Sequence, residues 1–214
     1  MKNLAITTAL LSISILTAQA QTEKGTSFIG GAFKFNTDKT ENNDQRTYSY
    51  TLSPKAGHFI SNNFAIGTNL SIGYAKNKHY NLPGNDVIPY DNGNLSLGVA
   101  PFARHYLMIT ERFRFFSEFQ LSFTTVKNKA NMVTTHNSSD KPYYRNNYYA
   151  ADLKPGLAFF PTKKLAIEMS FPLLTYAKSS MTPHGMPGYV KSTHDYFAIG
   201  LNTTSPLIGL NYHF

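Results

Sequence analysis

The chain has 214 residues, the size of one domain or of one domain with a short appendage. Lys and Arg outnumber Asp and Glu by 20 to 12, but the basic residues form no run and no nucleic-acid motif accompanies them, which excludes nucleic acid as a partner. There is no cysteine, so disulfides, thiolate metal sites, a cysteine nucleophile and a lipidated N-terminus are excluded as well.

The first twenty residues have the composition of an export signal. A positive charge near the start precedes a short apolar run over 4–16, and Ala18 and Ala20 fit the small-x-small pattern of a cleavage site. The run is shorter than the roughly 18 apolar residues that a membrane-spanning helix requires. The sequence therefore predicts a cleavable signal peptide at 1–20 and an exported domain at 21–214.

The exported domain is predicted to consist of β-strands, because apolar residues alternate with small or polar ones along nearly every segment. Successive side chains of a strand point to opposite faces, so such an alternation produces one apolar and one polar face. In the clearest case, Ile66 and Ile72 fall on one face, and Gly67 and Ser71 fall on the other. The predicted strands are 26–36, 47–60, 64–76, 94–106, 112–126, 146–160, 165–177 and 195–214.

The arrangement of these strands favours a membrane barrel. The bulky apolar face has no predicted partner, because the sequence contains no amphipathic helix, whereas in a barrel it would face lipid. The connections alternate between ten or more polar residues and three or four, an asymmetry typical of outer-membrane barrels. The mean hydropathy of −0.29 excludes a helical membrane protein but suits a barrel. We predict an all-β, eight-stranded antiparallel up-and-down transmembrane β-barrel.

Two irregularities are expected within the strands. Proline removes a ladder hydrogen bond, and a closed barrel has no edge strand to accommodate it, so Pro54, Pro101 and Pro155 predict a local bulge or a wide pair. In the last strand the apolar positions change from odd to even numbers. One extra residue between Asn202 and Pro206 would restore the alternation, which predicts a β-bulge there.

Ionisable side chains fall on the inward face of the predicted barrel. They are Lys34, Lys55, Arg104, Arg114, Glu118, Asp152, Lys154 and Glu168. Eight strands leave an interior just wide enough for side chains to fill, and an isolated buried charge is costly. We therefore predict that Arg104 or Arg114 contacts Glu118 inside the barrel.

A second contact is predicted between Lys154 and either Asp152 or Glu168. Paired charges of this kind would form a structural plug in the lumen. The alternative is that the same residues line an ion pathway.

Aromatic and basic residues suggest how the barrel meets its surroundings. Aromatic residues near the strand ends predict two interfacial girdles: Tyr48, Tyr74, Phe123 and Tyr149 on the loop side, and Phe59, Phe64, Phe159, Tyr212 and Phe214 on the turn side. Basic residues of the predicted loops, including Lys127 and Arg145, are candidates for contact with anionic lipopolysaccharide head groups. A solvated loop surface is the alternative.

The end of the chain makes the resemblance to a family specific. Apolar residues occupy every second position at Ile208, Leu210, Tyr212 and Phe214. With the segments SPKAGHFISNNFAIG, APFARHYL and KPGLAFFPTKKLAIE, the chain resembles the small outer-membrane β-barrel domain family of OmpA/OmpX-like proteins, especially Bacteroidota versions. The resemblance implies a Gram-negative outer membrane as location, lipid as surroundings, and recognition by the barrel assembly machinery through the last strand.

The histidines form no clear catalytic or metal-binding pattern in the sequence. His136 and His184 lie in predicted loops, as do Asp140 and other carboxylates, but no spacing among them demands a triad or a metal site. We predict a monomeric, non-enzymatic protein without cofactor, which serves membrane integrity or surface or adhesive contact through four long extracellular loops. The alternatives are a narrow porin-like channel for small solutes, an outer-membrane lipid-modifying enzyme and a soluble periplasmic lipid-binding barrel.

Overall fold

The computed structural model describes residues 22–40, 45–79, 90–129, 143–184, 190–201 and 207–214. The predicted signal peptide at 1–20 and the bulge expected between Asn202 and Pro206 lie outside the described residues. Within the described part of the chain, no helix is long and apolar enough to cross a membrane.

Ten strand segments form one antiparallel sheet that closes on itself. They are β1 (Ser27–Thr40), β2 (Gln45–Ser61), β3 (Phe64–His79), β4 (Tyr90–Met108), β5 (Phe113–Lys129), β6 (Tyr143–Phe159), β7 (Leu165–Ser170), β8 (Leu174–His184), β9 (Ser192–Ile199) and β10 (Leu207–His213). β7 and β8 make up the seventh barrel strand, and β9 and β10 make up the eighth. β10 pairs with β1 over Phe28–Gly31, which closes the predicted eight-stranded up-and-down barrel.

The two faces of the barrel wall have the predicted orientation. Ile66, Phe119 and Ile167 lie on the outer surface, each with at least 40% of its area exposed. Glu118 and Lys154 point inward and are buried. The alternation in the sequence therefore assigned the apolar face to the outside correctly.

Several strands reach further into the predicted long loops than the apolar alternation indicates. β5 continues to Lys129 and β6 begins at Tyr143, whereas the predicted strands end at 126 and begin at 146. β4 likewise begins at Tyr90 rather than at 94. These added residues are largely polar on both faces, so no alternation of residue type marks them as strand, although cross-strand pairing continues through them.

Two of the strand prolines break a ladder without shifting its register. Pro54 pairs with Gly31 of β1, and Pro101 pairs with Thr68 of β3, while the ladder on the opposite side of each proline is interrupted. The register resumes unchanged beyond both interruptions. No bulge therefore forms at these two sites, because a missing N–H removes one hydrogen bond without requiring an additional residue.

At Pro155 the expected bulge is present, but the extra residue belongs to the neighbouring strand. Leu153 pairs with Leu174, whereas Gly156 pairs with Ser170, a register shift of one residue. The additional residue lies within 171–173, a segment that contains a proline and separates β7 from β8. The seventh strand consequently changes its outward positions from odd to even numbers at this point.

The eighth strand also changes parity, as predicted. Phe197 of β9 faces outward opposite Tyr176, and Leu210 of β10 is exposed on the outer surface, whereas Asn211 is buried. The bulge predicted between Asn202 and Pro206 lies outside the described part of the chain and stays a prediction.

One predicted girdle residue is misplaced. Phe59 is fully buried inside the barrel, whereas Tyr212 and Phe214 are exposed on its outside at the same end. Phe59 has the same parity as the inward residues of its strand. Its parity therefore predicts its orientation correctly, whereas its position near the strand end does not.

Candidate functional site

Six rings fill the lumen near the short turns, and we call them the aromatic layer. Its members are Phe28, Phe59, Tyr106, Phe116, Phe160 and His213, all at most 2% exposed. Phe28 stacks on His213 with ring centroids 5.2 Å apart, and Tyr106 packs against Phe116 at 5.6 Å. This end of the barrel is therefore a dry, close-packed core.

Glycines in the wall make room for these rings. A Cβ at Gly57 would overlap the ring of Phe28, and one at Gly156 would overlap the ring of Phe116. Gly57 and Gly156 are the direct partners of Phe28 and Phe116 on the neighbouring strands, so each leaves room for the adjacent ring. This explains how a narrow barrel holds so many aromatic side chains.

Arg104 is the centre of a charged layer that lies against the aromatic layer. Its Nε and Nη2 atoms donate to Oε2 of Glu118 at 2.9 and 2.5 Å, and its Nη1 donates to Oε1 of Glu168 at 2.5 Å. Nη1 also donates to the Tyr106 hydroxyl at 2.7 Å, and that hydroxyl donates to Glu168 at 3.0 Å. The predicted contact between Arg104 and Glu118 is confirmed.

The guanidinium of Arg104 is held on its faces as well as at its edge. Its Cζ lies 4.1 Å from the ring centroid of Phe116, within the range of a cation–π interaction. The side chain is only 1% exposed. A planar group with several fixed donors suits such a site better than lysine does, because it bonds two carboxylates and stacks at the same time.

The bond between Arg104 and Glu168 crosses the lumen. Arg104 is on β4 and Glu168 is on β7, three strands further around the eight-stranded wall and nearly opposite. Glu118 lies beside Arg104 on the adjacent strand β5. The charged layer therefore joins neighbouring strands and also spans the barrel interior.

Two lysines complete the charged layer. Lys55 Nζ lies 3.6 Å from Oε2 of Glu118. Lys154 donates to the side-chain carbonyl of Gln120, and Thr175 donates to Asp152 at 2.8 Å. The predicted contact of Lys154 with Asp152 or Glu168 is wrong, because each carboxylate is bonded by a nearer donor.

Arg114 lies apart from this layer. It is buried near the turns, with Cζ 5.7 Å from the ring of Phe160 and Nη1 3.5 Å from Oδ1 of Asn63. Four residues along β5 separate it from Glu118, about 13 Å at the usual rise of a strand. Facing the same lumen was therefore insufficient to bring both arginines to one carboxylate.

A cavity of about 160 Å³ lies on the other side of the charged layer. Lys55, Glu118, Lys154 and Glu168 line it together with Asn211, whose Nδ2 is buried without a hydrogen-bond partner. Beyond the cavity, inward positions are small or polar, as at Ser71 and Ser96. The lumen is therefore packed at the turn end and more open toward the long connections.

The fold can now be compared with known structures. OprG, an outer membrane protein of Pseudomonas aeruginosa, superimposes with a TM-score of 0.52 over 92% of this chain and 99% of that chain, at 12% identity. The chain has the fold of a small outer-membrane β-barrel.

Further solved barrels are similar at a lower level. They include the N-terminal β-barrel domain of OprF from Pseudomonas aeruginosa (TM-score 0.36, 13% identity, covering 89% of this chain and 98% of that chain) and a major outer membrane protein of Thermus thermophilus (TM-score 0.44, 10% identity, 89% and 98%). No family model matches the barrel, and no curated protein matches its sequence.

Sequence reasoning missed part of this site. Tyr106 and Gln120 share the inward parity of Arg104 and Glu118 and could have been found by extending the same alternation. His213 was also missed, because only the outward residues of the last strand were considered and His213 lies on its inward face.

The chemistry of the charged layer is that of a closed network. The guanidinium bonds two carboxylates and a hydroxyl, and the hydroxyl also bonds one of the carboxylates. Among the described residues, no group of three or more His, Asp or Glu side chains is placed to hold a metal ion. The network is thus arranged to fix strands in place.

Proposed function

We infer that the protein resides in the outer membrane of a Gram-negative bacterium as a sealed barrel that displays surface hairpins. Its outward apolar face supports this location, since a soluble protein rarely exposes so large an apolar surface. The exposed face carries one large apolar residue on each successive strand around the barrel: Ile29, Leu52, Leu70, Leu97, Phe119, Leu157, Ile167 and Leu210. A continuous apolar belt of this kind matches lipid.

The seal is the observation on which the function rests. Arg104 bonds carboxylates on both sides of the lumen, directly against a layer of fully buried rings. Opening a path would leave at least one of these charges unpaired in a buried setting, which is costly. The barrel therefore serves membrane integrity or surface contact rather than transport, and it works as a monomer without catalysis.

Conductance in planar bilayers tests the seal. The refolded wild-type barrel should show no discrete steps above the bare bilayer. The double variant Arg104→Ala/Tyr106→Ala removes the guanidinium and one ring, and should conduct if it still folds, which its heat-modifiable mobility reports. Arg112→Ala, in an exposed turn, is the matched control and should stay silent. Steps with the wild type would favour the narrow channel instead.

The direction of the barrel follows from the two classes of connection. The long connections belong outside the cell, and the short turns belong in the periplasm. An epitope inserted in 130–142 should be detected on intact cells, whereas one inserted in 161–164 should require permeabilised cells. Recovery of the protein in the soluble periplasmic fraction would contradict the location itself.

The last strand carries the proposed assembly signal. Ile208, Leu210, Tyr212 and Phe214 all face outward, while the residues between them point inward. This outward row is accessible to an assembly factor, and the pairing of β10 with β1 closes the barrel. Replacement of Phe214 by Ala should reduce the amount of folded protein in the outer membrane while leaving export unchanged.

A further inference from the structure

Two cations face each other on the outside of the barrel, near the long connections. Lys127 of β5 and Arg145 of β6 are direct partners in the register, and both side chains are exposed. They share the outward face with Phe123 and Tyr149, which pair with each other four residues closer to the membrane belt. We call Lys127 and Arg145 the rim cation pair.

The rim cation pair lacks a counterion among the described residues. Like charges directly opposite on one face of a sheet destabilise it. Elsewhere on the same outer face, Lys178 of β8 lies 3.7 Å from Asp195 of β9, so that cation has its carboxylate. Lys39 and Arg46 form a second cation pair of this kind in the β1–β2 ladder, so the rim cation pair is not unique in its charge. An external anion would relieve its repulsion.

Lys127 is held in place by aromatic rings. Its Nζ lies 4.3 Å from the ring centroid of Tyr143, and that ring stacks on His184 at 4.5 Å. Tyr143 is two residues from Arg145 on the same face of β6. The ammonium group is thus held against an aromatic ring instead of extending freely into solvent, which lowers the entropy that a ligand must remove.

The rim cation pair lies at the end of a groove that continues over the apolar surface. A groove of about 430 Å³ is lined by Lys127 and Arg145 together with Leu95, Leu97, Thr125 and Asn147. A second groove of about 340 Å³ shares Leu97, Thr125 and Asn147 with it and adds Val99, Phe123 and Tyr149. The combined surface has a charged end and a long apolar end.

The height of the pair on the wall matches a lipid head group. Lys127 is four residues beyond Phe123, about 13 Å along the strand and about 10 Å along the membrane normal at the usual tilt of about 40°. Phe123 is an outward aromatic residue at the expected level of the interface. The cations therefore lie where phosphate groups of the outer leaflet are found, above the acyl chains.

We propose that the rim cation pair binds a phosphate group of an outer-leaflet lipid, whose acyl chain lies in the groove below. Both donors suit phosphate, since arginine bonds it through two N–H groups and lysine adds a point charge. The site rests on the outer-membrane location proposed above. The proposal places contact with lipid head groups at the rim cation pair on the barrel wall.

Native mass spectrometry of the barrel in detergent micelles measures this binding. The probes are bisphosphorylated lipid A and an acyl-matched glycolipid that lacks phosphate. The wild type should retain the phosphorylated lipid, and the double variant Lys127→Gln/Arg145→Gln should bind it about tenfold more weakly, as expected for the loss of charge-assisted hydrogen bonds. The variant Lys163→Gln/Lys164→Gln removes the same charge at the opposite end and should bind as the wild type does.

Three results would overturn the proposal. The first is equal retention of the glycolipid that lacks phosphate, and the second is unchanged binding of lipid A by the rim variant. The third is displacement of lipid A by inorganic phosphate at a concentration close to the dissociation constant of the lipid, which would indicate a site for free phosphate. Heat-modifiable mobility shows whether each variant is folded. If the protein fractionates with the outer membrane and lipid retention still fails, only this inference is lost.

A change of sign in stability gives an independent test. In neutral detergent, Arg145→Gln removes a repulsion and should leave the unfolding temperature equal or higher. With lipid A present, the same variant should unfold at a lower temperature than the wild type, because the bound phosphate stabilises only the intact pair. Destabilisation of equal size in both conditions would mean a purely structural role.

Discussion

Glu118 illustrates how a charge is kept inside a narrow barrel. Its Oε2 accepts two hydrogen bonds from Arg104, and Lys55 lies 3.6 Å away. Each of these groups needs the others, because a buried ion pair contributes little net stability but becomes costly when one partner is removed. The network therefore makes the interior intolerant of single substitutions.

Replacing Glu118 by Ala should lower the free energy of unfolding by about 3–5 kcal/mol, since it leaves a buried guanidinium with one carboxylate fewer. Urea titration in detergent, followed by the heat-modifiable band, measures the change. Asp152→Ala is the matched control, because Asp152 is half-buried and accepts one hydrogen bond from Thr175. Equal losses for both variants would remove the charged layer from the explanation.

Gly156 tests the packing of the aromatic layer. An added Cβ would overlap the Phe116 ring and approach the backbone oxygen of Met169 to 2.6 Å, so Gly156→Ala should cost about 1–3 kcal/mol, as overpacked cores do. Gly209→Ala places its Cβ 3.5 Å from the nearest atom and should be nearly neutral. The same urea titration compares them, and a neutral Gly156 variant would mean that the ring moves freely.

Parity predicted which residues of the site face the lumen, but it could not predict their partners. Arg104 and Arg114 have the same parity, and only their height along the wall decides that Arg104 reaches Glu118. Arg114 lies four residues from Glu118 on the same strand, a separation that the sequence itself gives. The height of Arg104 relative to Glu118 depends on the stagger between β4 and β5, which the alternation of residue types does not encode. For the same reason the contact between Arg104 and Glu168, on strands far apart in the sequence, was not predicted.

The strands are longer than a membrane crossing requires. A tilted strand crosses the hydrocarbon with about 9–11 residues. β4 has 19 residues and β5 has 17, so a substantial part of each hairpin extends beyond the hydrocarbon core. The rim cation pair lies on this extension, where the barrel wall continues as a platform.

Depth along β3 and β4 predicts the effect of a charge on the outer face. Leu70→Arg, near the middle of the apolar belt, should destabilise the barrel by about 2–4 kcal/mol, whereas Leu95→Arg should cost about 0–1 kcal/mol. Leu95 pairs with Lys127 at the rim, so it lies above the hydrocarbon, at the level proposed for the phosphate groups. Unfolding in lipid vesicles measures both variants, and equal costs would contradict the assigned membrane position.

The existence of the strands, and the face on which each side chain lies, were predictable from the sequence, because the alternation of apolar residues indicates which side of the sheet meets an apolar environment. Strand ends were not, since Lys127 and Arg145 are polar neighbours in a ladder that continues past the apolar residues. The proline pattern predicted a bulge or a wide pair at Pro155 but not which strand carries the extra residue, which lies in the adjoining segment 171–173.

At the scale of the whole molecule, the eight strands form one closed wall with unequal ends. The turn end is filled by rings, the middle by the charged layer, and the end with the long connections by small polar side chains. In the proposed function, sealing and display are therefore assigned to opposite ends of the barrel. Residues of the long connections can change without disturbing the interior that holds the barrel shut.

The bond from Arg104 to Glu168 also has a consequence for the order of events in folding. Its two ends are three strands apart, so it cannot form while the sheet is still an open ribbon. An interaction made after the rate-limiting step slows unfolding and leaves the folding rate unaltered. Glu168→Gln should therefore shorten the lifetime of the native barrel in urea, while its refolding half-time stays that of the wild type. The bond thus forms late in folding and acts mainly against unfolding.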